Sequence, residues 1–179
     1  MKTLLLNSIF LFTILNICYS QAEDIELKSF QYEFFYSSVP APYFYQYKIT
    51  VNSNLECEIK YILGYEESQS HVYKCDFKIK KSQLKSLKKF IKNSKILTSD
   101  IKQSNDIPCG GCSESIIIIT TQKISEKITD SIRIPSYPEK KYEEVITSLY
   151  KMINNLVPKN IKDELEQKRE EYIKDKKRN

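Results

Sequence analysis

Four features of this 179-residue chain have residue types and spacings that can do chemistry: its cysteines, its single histidine, a block of aromatic residues and a run of lysines. Cys109-Gly110-Gly111-Cys112 has the spacing of a thiol–disulfide exchanger or of half a zinc site. Exchange wants the first cysteine at a helix N-terminus, where the dipole lowers its pKa; here the pair leads into Ile116-Ile117-Ile118-Ile119, a strand pattern. A closed zinc site needs four ligands, and Cys57 with Cys75 makes no second close pair. His71 lies four residues before Cys75, so on a strand the two point to one face and permit a Cys–His pair. A loop-edge histidine beside a structural disulfide is the plainer alternative. No phosphate loop, glycine fingerprint, nucleophile-elbow serine or paired-histidine zinc motif occurs, and nothing calls for a cofactor.

The compartment weighs on the cysteines. Lys2, the apolar stretch Leu4–Ile17 and the Cys18-Tyr19-Ser20 segment have the order of a secretory signal, which predicts cleavage near Ser20 and an exported, secreted or periplasmic product. Export to an oxidising compartment favours disulfides among the four remaining cysteines. The expected pairing is Cys57–Cys75, across two strand-like segments, and Cys109–Cys112, a ring closed by a glycine turn.

Two surfaces are candidates for binding. Nine aromatic residues fall between Phe30 and Tyr47, and of these Tyr36, Tyr43, Phe44 and Tyr45 flank a Pro-rich turn where rings can meet a partner. From Lys78 to Lys95 there are eight lysines and no acid, with Lys85, Lys88, Lys89 and Lys92 on one face of a predicted helix. That face suits an anionic glycan, headgroup or protein. Nucleic acid is disfavoured, because the chain has only three arginines and no recognition motif. After residue 20 no apolar stretch approaches the ~18 residues of a membrane helix.

The elements that must position these residues follow from periodicity. Phe30–Tyr36, Tyr43–Val51, Leu55–Leu63 and 71–79 alternate apolar with polar positions, the pattern of half-buried strands in a meander. Ser82–Lys92 changes to helical spacing through Leu84, Leu87 and Ile91. Glu114–Thr121 is a strand whose unbroken isoleucines predict cover on both faces, and Lys127–Ile134 is another. A helix over Glu139–Leu156 follows. Beyond Pro158, Asn160 is expected to cap a last helix with a thin apolar face, peripheral and fraying over about 160–179. Residues 21–179 therefore predict one α+β domain, with a mainly antiparallel sheet of about six strands covered by helices on one face and two helices at the C-terminus.

With these segments in place the chain resembles a group of small exported bacterial proteins of uncharacterised function. The likeness rests on the opening aromatic strand, Pro40-Ala41-Pro42-Tyr43-Phe44-Tyr45, Gly110-Gly111, Ile134-Pro135 and Leu156-Val157-Pro158. It implies a shared fold and export and brings no activity. The function expected is non-catalytic binding of a protein, peptide or envelope component by the aromatic hairpin or the lysine face. The alternative is a thiol-active or hydrolytic enzyme using Cys109, Cys112 or His71.

Overall fold

Alternation of large apolar and polar side chains draws the first half of the chain into strands, as a half-buried sheet requires. The computed structural model describes residues 25–36, 39–65, 71–106, 113–123 and 127–178. Within them β1 (Ile25–Tyr36), β2 (Tyr45–Asn52), β3 (Glu56–Leu63) and β4 (Val72–Lys78) form an antiparallel meander. Helix α1 (Lys81–Asn93) follows, and the chain returns through β5 (Ser113–Lys123) to the free side of β1, with β6 (Ile128–Ile134) beyond it. The sheet order is β4-β3-β2-β1-β5-β6, so β4 and β6 are its edges. Helices α2 (Glu143–Asn154) and α3 (Lys159–Arg178) close the chain. The α+β architecture with one helix-covered sheet face is the one the periodicity predicts.

One face of the sheet carries the core. Phe30, Tyr32, Ile49, Ile59, Ile117 and Ile134 point to it and join Leu84, Leu87 and Ile91 of α1 and Ile146, Leu149 and Ile153 of α2 in one buried cluster. Each such side chain contributes about 2 kcal/mol by leaving water. On the opposite face stand Gln31, Glu33, Gln46, Lys48, Glu58 and Lys60, in register across three strands.

Three expectations need correction. Ile117 and Ile119 are fully buried, but Ile116 and Ile118 turn to the other face and are only half-buried. The isoleucine run therefore reflects a central strand with β-branched residues, not a strand with helices on both sides. Cys57 and Cys75 are free thiols. The β3–β4 register sets Cys57 opposite Phe77 and Cys75 opposite Ile59. Diagonal neighbours in an antiparallel pair lie about 7–8 Å apart, beyond the span an unstrained disulfide bridges. Finally, α3 begins at Lys159, so Asn160 lies inside its first turn and not at the cap.

The turn between β1 and β2 holds a cis Ala41–Pro42 bond, closed by Tyr43 N donating to Pro40 O at 2.8 Å. The expected leader, residues 1–20, and Cys109 to Cys112 lie outside the described residues.

Candidate functional site

Alternation along β1 and β2 sends Tyr32, Phe34, Tyr36, Tyr45 and Tyr47 to the core face, where Tyr61 of β3 joins them. Phe34 and Tyr47 stack with centroids 5.0 Å apart. Tyr45, Tyr47 and Tyr61 form a row of near-parallel rings, 12–23° between planes and 5.6–6.5 Å between centroids. Tyr150 of α2 packs on Tyr32 at 5.5 Å, and its hydroxyl donates to Ser115 O at 2.9 Å. Burial pushes the Tyr47, Tyr61 and Tyr150 hydroxyls well above the ordinary phenol range. Tyr45 is also raised by burial, against the opposing charge of Arg169. These phenols stay protonated, and Tyr150 donates its proton to a main-chain carbonyl.

The aromatic hairpin is met by the chain's own last helix. Arg169 of α3 places its guanidinium 4.4 Å from the Tyr45 ring centroid, while one terminal nitrogen donates to Glu166 Oε1 at 2.8 Å. Its Nε is buried with no hydrogen-bond partner, and the π face of Tyr45 offers that N–H an electron-rich surface in place of an oxygen. Further along, Lys177 lies 5.4 Å from the Tyr43 ring and Lys176 lies 5.8 Å from the Tyr172 ring. Tyr172 approaches Gly64 so closely that a Cβ there would collide with its hydroxyl, and Gly64 has φ +78°. The α3 contacts thus cluster at one end of the sheet, at the start of β2 and just past the end of β3.

The sequence-predicted aromatic residues separate accordingly. Tyr45 is covered by Arg169, Tyr36 is half-buried against Tyr45 at 5.3 Å, and Phe44 is buried under Tyr65 at 4.2 Å. Tyr43 stays 38% exposed, the most open of the four, with Lys177 near its ring. Tyr65, 58% exposed with its hydroxyl on Val39 O, adds to that corner.

The lysine face is different. Leu84, Leu87 and Ile91 bury the apolar side of α1, and Lys85, Lys89 and Lys92 stand exposed with Lys88 half-buried beside them. Lys80 N donates to Gln83 Oε1 at 2.8 Å and fixes the helix start. Among the described residues no lysine of α1 makes an ion pair; Glu26, the carboxylate felt by Lys88, is held by Lys28 at 2.6 Å.

The thiols are quiet. Burial pushes the Cys57 thiol up to about 11. Burial, then the carboxylates of Glu164 and Asp76, raise Cys75. Neither has the electropositive setting that makes a thiolate at neutral pH. His71 precedes β4 and meets the Tyr172 ring edge-on at 4.7 Å. Three or more His, Cys, Asp or Glu side chains arranged to hold a metal do not occur among the described residues.

Arg169 and Tyr150 are not readable as site residues from periodicity. The one signal is residue type: Arg169 is one of three arginines in a lysine-rich chain, and a guanidinium is the cation best suited to stack on an aromatic ring. No protein-family model matches the chain, and comparison with curated proteins finds no match.

Proposed function

We propose that the chain is an exported, non-catalytic binding domain that engages a polyanionic envelope component through the lysine face of α1. The observation that carries this is the unpaired state of those lysines. Lys81, Lys85, Lys88 and Lys92 follow one another at helical spacing along the outer side, Lys88 half-buried and the other three exposed, with no acid between Lys78 and Lys95 to neutralise them. Successive members rise about 4.5–6 Å along the axis, a repeat that a linear polymer with regularly placed anionic groups can follow. The apolar residues of α1 face inward, so the exposed side lacks the Phe, Leu or Trp anchors with which an interfacial helix enters a bilayer. A polymer therefore suits this face better than a membrane surface does. The aromatic hairpin contributes less, because α3 already covers Tyr45.

Binding to dextran sulfate as a function of salt tests this. Release of counterions makes affinity fall steeply with ionic strength when several lysines engage together. The wild type should show that dependence, and K85E/K89E/K92E should bind at least tenfold more weakly with a flatter salt slope. Equal binding by both proteins rejects the lysine face.

A further inference from the structure

A cavity of about 200 Å³ lies between the tyrosine row and the start of α3, walled by Tyr45, Tyr47 and Tyr61 and bordered by Asn154, Lys162 and Glu166. We propose that this cavity is a binding site for a small organic anion consisting of one ring and a carboxylate, with the ring against the tyrosines and the carboxylate held by Lys162. The site is separate from the lysine face of α1 and does not depend on it.

Size, shape and charge select the ligand. The volume corresponds to roughly seven waters, below the range of pockets that take drug-sized molecules, so one ring fills it. The walls are aromatic and mutually near-parallel, which favours a flat apolar surface. The polar border decides the sign. Glu166 already accepts from Arg169 at 2.8 Å, so its charge is offset within the protein. Lys162 has no carboxylate within ion-pair distance among the described residues and leaves the border net positive. An organic cation is excluded twice: Arg169 occupies the face of Tyr45, and the remaining charge repels it. The tyrosine hydroxyls add donors without adding charge, since burial keeps them protonated. The Asn154 amide supplies both donor and acceptor for substituents on the ring.

The experiment titrates benzoate, and separately its neutral isostere benzamide, into the full-length protein while ring signals of Tyr45 and Tyr61 are followed by NMR. Saturable shifts with benzoate, at least tenfold weaker with benzamide, are expected, since a charge-assisted hydrogen bond separates the two ligands. Lys162→Gln should weaken benzoate about tenfold, leave benzamide unchanged and leave thermal unfolding where it was. K85E/K89E/K92E should bind benzoate like the wild type, which separates a failure here from a failure of the lysine-face proposal. Equal affinity for the two ligands, indifference to Lys162→Gln, or the lack of any saturable shift overturns the site.

Discussion

Helices α1 and α3 are both rich in lysine, both lie on the same face of the sheet, and they are held there by different physics. Over thirteen residues α1 buries Leu84, Leu87 and Ile91, enough apolar surface to fix it, and its lysines remain in water. Over twenty residues α3 buries only Ile161 and Leu165. Its second half is seated by cations on aromatic rings and by Tyr172 against Gly64. Where an apolar stripe suffices, positive charge is left in water. Where the stripe runs out, positive charge becomes the anchor.

Mutations can break this contrast. Leu87→Ala should produce the largest effect, about 3 kcal/mol from the lost transfer term and the cavity left behind, read from urea unfolding. Gly64→Ala should be next, about 1–2 kcal/mol for the left-handed backbone plus the displacement of Tyr172. In a Tyr172→Phe background that cost should shrink, because the colliding hydroxyl is gone; an unchanged cost would mean that the far half of α3 does not sit there. Arg169→Met should cost about 1 kcal/mol, the size of a cation–π contact, and Arg169→Lys should recover only part of it. The corresponding change on α1, K85E/K89E/K92E, should alter stability by no more than about 0.5 kcal/mol per site, as exposed substitutions do. A large loss of stability in that variant would show that α1 too is anchored by its charges.

A pH series adds a smaller, signed effect. Burial raises the Cys57 thiol from an ordinary value of 9.0 to about 11. Between those values the unfolded chain releases this proton while the folded protein retains it, so the Cys57 contribution to stability is full below pH 9 and is lost as pH rises towards 11. Comparison with Cys57→Ala isolates the contribution: the wild-type curve should fall more steeply across that window.

Much of this fold is legible in the chain itself because β2, β4 and β3 up to Tyr61 alternate and α1 has a clean apolar stripe. The same alternation that reveals Cys57 and Cys75 as facing one side cannot reveal that they are offset by one pair, since register depends on the whole ladder and its turns. The Asn52-Ser53-Asn54 turn adds Leu55 in a left-handed conformation, φ +73°, before β3 begins. Isoleucine runs hide the difference between a buried face and a half-covered one, because β-branched residues suit a central strand on either side. The cavity under α3 leaves no trace in the linear pattern. Its walls come from β2, β3, α2 and α3, and only tertiary packing brings Lys162 beside Tyr61.

The two edge strands set how this protein meets other chains. Along β4, Lys74, Asp76 and Lys78 are exposed, and along β6, Asp130, Ser131 and Arg133 are. Charge on a sheet edge opposes the addition of a further strand, whether from a second copy or from an extended peptide. Main-chain recognition is thereby discouraged at both ends of the ladder, and strand-by-strand association remains unfavourable even when the protein is concentrated. Among the described residues the surface that remains is one of side chains: the lysines of α1, the Tyr43 and Tyr65 corner, and the polar outer face of the sheet.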